Sequence, residues 1–346
     1  MKIAVLFGGI STERNVSITG GRAVINALRE KGHEVIGVDP AFGKDAVRDD
    51  DEINGEVGFL SLEELKKFDP RKMMECINSS IFDDVDVAFN VLHGRYGEDG
   101  IIQALLELRG IPYTGSDIKA SSLAMDKITS KVLMASAGVP TPEFEILRRG
   151  DEGDYDYYAE IRSAFGQDIV IKPNNQGSTI GITIVRGGNL DDIHQAVVTA
   201  MEYSDNIIIE RYIPGAEITV GIVGEETLPI IEIVPQEGYY DYEHKYIKGR
   251  TEYICPAELD ENLSEFIQNM AYACYRVHGC AGFSRVDFRL TDEGQPFCLE
   301  INTVPGFTSM SLVPMAAKET GLDFGDLCER IIDIALGKDL ENNNEE

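Results

Sequence analysis

Two carboxylates and an amide lie on two apolar segments that a short turn separates. Asp287 belongs to the first segment, and Glu300 and Asn302 belong to the second. If the turn is centred on residues 293–294, hairpin pairing places Asp287 opposite Glu300 and Arg285 opposite Asn302. Residues two apart on a strand share a face, so these four side chains would form one polar group. Carboxylate and amide oxygens are ligands that Mg²⁺ accepts, and a solvent-facing row of charges is the alternative.

Three lysines lie in segments that suit a phosphate-bearing ligand. Lys172 ends an apolar strand and precedes a loop rich in amides and hydroxyls, Pro173–Thr179. An ordinary surface hairpin is the alternative explanation of this pattern. A lysine charge together with backbone N–H and hydroxyl donors is a typical phosphate site. The sequence contains no Walker A loop and no Gly-x-Gly-x-x-Gly motif. Lys127 follows Met-Asp, and Lys245 lies in a long polar and aromatic segment, residues 235–250, which indicates a lid or else a flexible insertion.

Other candidates lie in loops beside predicted helices and strands. Residues 304–311 combine glycine and hydroxyls before a helix predicted to start at Leu312, which suits a carboxylate or an oxyanion. Simple N-capping by Ser311 is the alternative. Glu13 follows the first strand and could hold an ammonium group. His93 lies beside glycines at the end of another strand, which favours a ligand contact over a structural role.

Composition excludes several classes of function. The chain has 346 residues, with 31 Lys+Arg against 60 Asp+Glu and a formal net charge of −29. This charge argues against non-specific nucleic-acid binding and against docking on anionic lipid, but a few lysines in one cleft can still bind an anion. No segment reaches the ~18–20 apolar residues of a membrane span, and the apolar start is interpreted as a buried strand. Six cysteines without a paired motif predict reduced thiols in a cytosolic protein.

The pattern of elements predicts three units. Strands and helices alternate over residues 1–115, which indicates a small open α/β sheet whose ligand loops, residues 8–17 and 93–100, follow its strands. A compact α+β unit is predicted over residues 116–214, and a strand-rich unit with the hairpin over residues 215–346. Within these units we expect Ser17 to cap the first helix and the acidic stretch Asp49–Glu52 to be a solvated loop. We also expect helices over Ile101–Arg109 and over residues 116–137, and a strand over Leu228–Val234.

Seven motifs, in chain order, are similar to those of the D-alanine–D-alanine ligase family of the ATP-grasp superfamily. They are Gly8–Ser17, His93–Gly100, Met125–Lys127, Lys172–Ser178, Tyr240–Tyr246, Arg285–Asp287 and Glu300–Leu312. The resemblance runs from residue 3 to about residue 336 and implies an α/β (α+β) fold with the three-domain ATP-grasp architecture. It implies that two D-alanines are joined through an acyl phosphate at the expense of ATP, for peptidoglycan synthesis. Asn15 and two longer acidic inserts depart from the family pattern without touching its chemical positions.

The resemblance also implies roles for single residues on the nucleotide side of the site. The matched ATP-binding residues are Lys127, Lys172, Glu210, Glu217 and Lys245, of which the three lysines would neutralise the phosphates and the two glutamates would hold the ribose and adenine side. Two Mg²⁺ ions, or Mn²⁺, would be held by Asp287, Glu300 and Asn302.

On the amino-acid side, the matched residues are Glu13, His93, Arg285, Gly306, Ser311 and Leu312. Glu13 would hold the first ammonium group with His93 close by, and Arg285 and the Gly306 N–H would meet the oxyanion. Ser311 and the Leu312 N–H would take the second carboxylate. Glu13, Ser178 and Tyr246 match a hydrogen-bonded trio that closes the lid.

Two other functions are compatible with these motifs. The same scaffold could use D-lactate or D-serine as the acceptor, although Tyr246 in its tyrosine-rich segment favours the amide product over the ester. A non-catalytic nucleotide-binding protein would require lost lysines or metal ligands, and none is lost. We expect ATP and D-alanine as substrates, a cytoplasmic homodimer, and neither nucleic acid nor membrane as a partner.

Overall fold

The computed structural model of the chain describes residues 1–55, 57–58, 60–150, 153–177, 179–235 and 251–338. These residues form three β-sheets with helices packed against them. None of the helices in these ranges combines the length and the apolar character needed to cross a membrane.

The first sheet has the order β3-β2-β1-β4, in which β1 pairs in parallel with both β2 and β4. Its strands are β1 (Lys2–Leu6), β2 (Glu34–Val38), β3 (Val47–Arg48) and β4 (Val87–Asn90). The helices of this region are α1 (Arg14–Glu30), α2 (Asp50–Asn54), α3 (Leu62–Leu65), α4 (Arg71–Ile77) and α5 (Ile101–Arg109). Short 3-10 turns cover Pro40–Asp45 and Ser80–Phe82. β3 pairs antiparallel with β2, whereas β1 and β4 are parallel neighbours, so the loops after β1 and β4 leave the same end of the sheet, as the sequence predicted.

The second sheet is antiparallel, with the order β5-β8-β6-β7. Its strands are β5 (Phe144–Arg148), β6 (Ile169–Pro173), β7 (Thr183–Val185) and β8 (Asn206–Arg211). Helices α8 (Tyr155–Phe165) and α9 (Leu190–Met201) supply the apolar side chains that cover it, including Tyr158 and Val197. Two further helices, α6 (Ile118–Met125) and α7 (Lys127–Ser136), precede this sheet in the chain.

The third sheet has the order β12-β11-β9-β13-β14, and β10 also pairs with β9. Its strands are β9 (Ala216–Val223), β10 (Glu226–Thr227), β11 (Ile231–Pro235), β12 (Thr251–Ile254), β13 (Phe283–Leu290) and β14 (Pro296–Asn302). The helices of this region are α10 (Glu261–His278), α11 (Leu312–Glu319) and α12 (Phe324–Ala335).

Apolar contacts join the third sheet to the first region and to helices α6 and α7. Val5 and Ile25 of the first region belong to one buried cluster with Phe307 and Ile331. Helices α6 and α7 share a second buried cluster with side chains of the third sheet, although they precede the second sheet in sequence. The first two helices of the predicted second unit are therefore packed on the third sheet.

Four local expectations were wrong, each for a physical reason. Ser17 does not cap α1: its Oγ accepts from Gly8 N–H (2.9 Å) and donates to the Val91 carbonyl (2.6 Å), tying together the loops after β1 and β4. The acidic stretch Asp49–Glu52 starts α2 through a capping box instead of forming a loop. The helix predicted over 116–137 is two helices, because Asp126 adopts an extended conformation and caps α7.

The fourth error concerns the strand predicted from Leu228, which begins only at Ile231. The structure also contains β12, which the sequence analysis did not anticipate. The six cysteines all lie within the described residues and are free thiols, five of them buried. The expectation of reduced thiols is consistent with this arrangement.

Candidate active site

The β13–β14 hairpin has the register that the sequence predicted at its charged end. Asp287 pairs with Glu300, and Arg285 pairs with Asn302. The register shifts after Asp287, so that Phe288 pairs with Cys298 and a bulge lies next to the charged pair. Such a bulge bends the strand and changes the direction of its side chains, which is common beside functional sites.

The hairpin carboxylates are paired with basic and amide donors. Arg285 donates from Nε to Asp287 Oδ1 (2.8 Å) and from Nη2 to Oδ2 (2.7 Å), and Thr219 Oγ1 donates to Oδ1 (2.6 Å). The Asn302 amide donates to Asp287 Oδ2 at 3.0 Å. Glu300 is partly buried and contacts Lys127. Arg285, Asp287 and Asn302 of the predicted quartet are thus joined by hydrogen bonds, and Glu300 pairs with Lys127, so the four do not form a row of charges facing solvent.

Helix α7 brings a lysine to this hairpin. Lys127 is its first residue and its Nζ lies 2.8 Å from Glu300 Oε2. Burial alone would lower the pKa of Lys127, but the Glu300 carboxylate raises it above the ordinary value. The side chain is therefore a cation held at the carboxylate end of the hairpin.

A buried cluster of one glutamate and two lysines lies between α7 and the second sheet. Glu210 Oε1 is 2.7 Å from Lys172 Nζ, and Glu210 Oε2 is 2.9 Å from Lys131 Nζ. Burial would raise the pKa of Glu210, but the charges of Lys131 and Lys172 hold it below its usual range. This places two of the predicted nucleotide residues, Lys172 and Glu210, in direct contact.

Asn174 fastens the loop after β6 to the start of α7. Its amide donates to Asp126 Oδ2 (2.7 Å), its Oδ1 accepts from Ile128 N–H (2.9 Å), and its carbonyl accepts from Lys127 N–H (3.1 Å). The segments that carry Lys127 and Lys172 are therefore held against each other. The two lysines are 45 residues apart in sequence, and these contacts, together with the Lys131–Glu210–Lys172 cluster, fix the distance between their segments.

Glu13 and His93 lie together in the loops after β1 and β4. A Cβ built on Gly94 would lie 2.9 Å from Glu13 Oε2, and one built on Gly177 would lie 2.8 Å from the same atom. Glu13 therefore lies where the first region meets the loop after β6. His93 is buried, with Nδ1 3.4 Å from Glu98 Oε1. Burial would lower the pKa of His93, but the carboxylates of Glu98 and Glu13 raise it above its ordinary value.

The loop before α11 has the features of an anion site. Ser311 occupies the N-cap position, but its Oγ makes no capping bond to α11 and accepts instead from Thr308 N–H at 2.9 Å. Gly306 is close to Ser311, since a Cβ built there would lie 3.8 Å from its Oγ. The first N–H groups of α11, including that of Leu312, thus have no side-chain cap from Ser311. Simple N-capping does not explain this serine.

The remaining predicted nucleotide residue is Glu217 on β9. Glu217 pairs with Arg289 of the neighbouring strand β13. The Glu217 carboxylate lies 3.6 Å from Arg289 Nη1. Ser178, Lys245 and Tyr246 lie outside the described residues. The ends of the predicted lid are nevertheless adjacent, because Pro235 on β11 pairs with Thr251 on β12. The intervening segment leaves and rejoins the third sheet at one place.

Sequence reasoning missed Lys131 and Asn174. Lys131 lies four residues after Lys127, which places both on one face of a helix, and that spacing could have singled it out. Asn174 follows Lys172-Pro in the loop that was expected to bind phosphate. The residue type alone did not indicate the role of Asn174, because the groups to which it hydrogen-bonds are distant in sequence.

The hairpin residues fit a hard divalent cation. Asp287 and Glu300 offer carboxylate oxygens on adjacent strands, and Asn302 can offer an amide oxygen from the same face. The described residues contain no group of three or more His, Cys, Asp or Glu side chains that could bind a metal alone. Two carboxylates and one amide therefore need ligands from elsewhere, such as phosphate oxygens and water, to complete a coordination shell.

Two cavities of the described residues lie away from this site. The larger, about 560 Å³, is lined by residues such as Tyr113, Gly282 and Ile334, and the smaller, about 350 Å³, by residues such as Arg22 and Phe68. Neither is lined by any residue singled out from the sequence as part of the site. The site is recognised by its converging charges rather than by an enclosed volume.

Comparison with known proteins gives one consistent result. Two family models match the chain, D-ala D-ala ligase N-terminus over residues 2–116 and D-ala D-ala ligase C-terminus over residues 133–333. A curated D-alanine–D-alanine ligase of Geobacter sulfurreducens is 40% identical over 332 residues, which cover 96% of this chain and 93% of the relative.

Solved structures resemble the chain over almost its whole length. The D-alanine–D-alanine ligase of Bacillus anthracis complexed with ATP has a TM-score of 0.75 at 29% identity, covering 99% of both chains. The VanG D-Ala:D-Ser ligase of Enterococcus faecalis has a TM-score of 0.74 at 30% identity, covering 96% of this chain and 99% of the other.

Proposed function

The chain belongs to the D-alanine–D-alanine ligase family, and we propose that it joins two D-alanine molecules in a reaction that converts ATP to ADP and phosphate. Its fold is the mixed α/β ATP-grasp architecture of the solved ligases, as the sequence predicted. The observation that carries the proposal is the contact of Lys127 with Glu300 opposite Asp287, because it unites a phosphate-type lysine and a pair of metal-type carboxylates.

In the proposed reaction, ATP lies between the second and third sheets. Lys127 and Lys172 neutralise its phosphates, and Lys245 joins them from the lid segment. Glu210 and Glu217 hold the ribose and adenine side. Phosphoryl transfer requires mainly alignment and charge neutralisation, which these lysines supply. Support comes from the way Asn174 holds the Lys127 and Lys172 segments together.

Asp287, Glu300 and Asn302 are the residues that would hold two Mg²⁺ ions, or Mn²⁺. When bound, such ions would neutralise the charge that develops on the phosphates. Support for this assignment is the oxygen-rich donor set on one face of the hairpin.

Two substrate amino acids would lie between this group and the first sheet. Glu13 holds the ammonium group of the first D-alanine, with His93 next to it. The carboxylate of this D-alanine attacks the γ-phosphate of ATP and forms an acyl phosphate and ADP. The amine of the second D-alanine then attacks the acyl carbon, and phosphate leaves. Arg285 and the Gly306 N–H stabilise the oxyanion of that step.

The second D-alanine is bound through its carboxylate by Ser311 and the Leu312 N–H, where α11 begins. A lid over residues 235–250 closes through Tyr246, Ser178 and Glu13 and keeps water from the acyl phosphate. The proximity of Glu13 to Gly177 supports the Ser178 part of this latch.

We place the reaction in the cytoplasm, where ATP is available, and expect a homodimer. The three sheets support a division into units at residues 1–115, 116–214 and 215–346, although α6 and α7 pack on the third sheet. Under this division the central unit contributes Lys172 and Glu210, and the C-terminal unit contributes the hairpin. The product, D-alanyl-D-alanine, is a peptidoglycan precursor.

The acceptor is tested with one coupled assay. ADP release is measured with ATP, Mg²⁺ and either D-alanine, D-serine, D-lactate or L-alanine, and the products are identified by mass spectrometry. With D-alanine as the single substrate amino acid, the amount of ADP released should equal the amount of D-alanyl-D-alanine formed. L-alanine should give no ADP release. Preferential formation of D-alanyl-D-serine in mixtures would assign the chain to the VanG type of activity. ADP release independent of any D-amino acid would refute the ligase assignment.

A further inference from the structure

We propose that Lys131 is a positioning residue of the nucleotide site, which neutralises Glu210 so that Lys172 can move from Glu210 to a phosphate of ATP. The inference rests on the proposed function, because it takes Lys172 to be a phosphate ligand. Nothing in the motif comparison assigns a role to Lys131.

The contacts of Lys131 fix it in place. Its Nζ is 2.9 Å from Glu210 Oε2, 2.6 Å from Thr141 Oγ1 and 3.3 Å from the Pro142 carbonyl. Two of the three N–H donors of the ammonium group are used by Thr141 and by the Pro142 carbonyl, and the contact with Glu210 is an ion pair. The Phe144 ring lies over the same ammonium group at 5.1 Å. Lys131 and Lys172 are both buried, with exposed fractions of 1% and 4%, so it is the additional contacts of Lys131 that hold it in place.

The contacts of Lys172 differ. It lies at the end of β6, where the chain enters the loop that is fastened to α7, and its Nζ contacts Glu210 at 2.7 Å. This contact uses one of its three donors, and others can serve a phosphate oxygen. Of the two lysines on Glu210, Lys172 is the one whose position suits exchange with a ligand.

The charge of the cluster explains why two lysines are needed. Glu210 is 97% buried, and a buried carboxylate that loses its only cation is strongly destabilised. If Lys172 alone neutralised Glu210, its transfer to ATP would leave that carboxylate unpaired. Lys131 remains on the other oxygen and compensates the charge. Burial lowers the pKa of Lys131, yet the Glu210 charge opposes this change.

The test is a double-mutant cycle on nucleotide binding. The dissociation constant for ATP is measured by calorimetry on the full chain without D-alanine, for wild type, Lys131→Met, Glu210→Gln and the double variant. We expect Lys131→Met to weaken ATP binding at least about tenfold, equivalent to about 1.4 kcal/mol. In the Glu210→Gln background the same change should alter binding by less than about twofold, because no buried carboxylate needs a cation.

Controls separate this role from a structural one. Lys119→Met removes an exposed lysine of α6 and should leave ATP binding unchanged. In Lys131→Met the effect should be confined to ATP, so the KM for D-alanine should stay within about twofold. A general loss of folded protein would instead lower kcat and leave both KM values unchanged. Lys131→Gln, which keeps a hydrogen-bond donor but no charge, gives the same test if Lys131→Met does not fold.

Two outcomes would overturn the inference: equal effects of Lys131→Met in both backgrounds, or unchanged ATP binding in both Lys131 variants. Its failure is distinguishable from failure of the proposed function. If Lys172→Ala weakens ATP binding and the Lys131 variants do not, only the role of Lys131 is wrong. If wild type does not bind ATP, or Lys172→Ala has no effect, the nucleotide site itself is wrong.

Discussion

Three acidic side chains of the site are each held by a base at another position of the chain. Asp287 is bound by Arg285, Glu300 by Lys127, and Glu210 by Lys131 and Lys172. Carboxylates and bases buried this deeply are stable only when paired. The protein therefore carries a charged site that is neutralised internally, and we propose that phosphates and metal ions replace some of these partners.

The role of Glu300 is testable with a neutral isostere. Glu300→Gln removes one ligand charge opposite Asp287 and one partner of Lys127, so turnover should fall at least about 100-fold, as for other groups that stabilise the transition state. The melting temperature should fall as well, because the buried Lys127 ammonium group loses its paired carboxylate, so turnover is compared at a temperature at which both proteins are folded. ADP release and thermal unfolding are measured together, and Mn²⁺ binding in the presence of a non-hydrolysable ATP analogue is followed by electron paramagnetic resonance.

Glu293→Gln is the matched control, since this glutamate lies exposed in the turn of the same hairpin. It should retain wild-type turnover and Mn²⁺ binding. A folded Glu300→Gln protein with near-normal ADP release would contradict the metal assignment.

Among the elements, helix α1 has the most direct effect on the geometry of the site. Glu13 precedes it, and Ser17 joins the loops after β1 and β4. One turn further, Gly20 lies against the loop that contains Gly306: a Cβ there would be 3.2 Å from the Phe307 carbonyl oxygen and 2.9 Å from Val91 Cγ1. The absence of a side chain at Gly20 thus lets the first region approach the proposed oxyanion loop.

Gly20→Ala should displace that loop. A gain of about 1 kcal/mol in helix propensity is opposed by about 1–3 kcal/mol of overpacking, so the net effect on stability should be destabilising. Because Phe307 follows Gly306, the KM for D-alanine should rise more than the KM for ATP. Urea unfolding and steady-state kinetics measure the two effects.

Gly58→Ala is the control, since a Cβ at Gly58 would meet nothing within 4 Å. It should leave both KM values and the stability close to those of wild type. An unchanged KM for D-alanine in a destabilised Gly20→Ala protein would separate packing of α1 from substrate binding.

At the scale of the whole molecule, 60 Asp+Glu outnumber 31 Lys+Arg and leave a formal net charge of −29. Lys31 at the end of α1 lies within 4 Å of Asp323, Asp326 and Glu329, so it links the first region to α12. Exposed charges that repel one another are screened by salt over a Debye length of ~10 Å at 0.1 M. Salt should therefore stabilise this protein as a whole.

The salt effect is measurable by thermal unfolding. The melting temperature should rise between low salt and physiological ionic strength, because screening weakens the repulsion among acidic side chains. Lys31→Ala should increase the dependence on salt, since it leaves three carboxylates close together. Lys66→Ala, which removes the same charge from an exposed pair with Glu63, should have a smaller effect. A melting temperature that falls with added salt would contradict the explanation.

Local patterns in the sequence were enough to predict some parts of the structure. The register of Asp287 with Glu300 follows from turn composition and a period of two, both of which are local. The helix predicted over Ile101–Arg109 has the predicted bounds, because its apolar period and a following glycine are read within a few residues. The family was recognisable because seven motifs keep their order along the chain.

Contacts between distant segments decided what those patterns could not. Ser17 looked like a helix cap, but the proximity of β1 and β4 gave its hydroxyl two better partners. Lys131 looked like any helical lysine until folding placed Glu210, about 80 residues later, against its ammonium group. Pairing energies of buried charges depend on distance and burial, and neither is a property of residues near in sequence. The sequence therefore determined which chemical groups are present, and the tertiary structure decided which of them are partners.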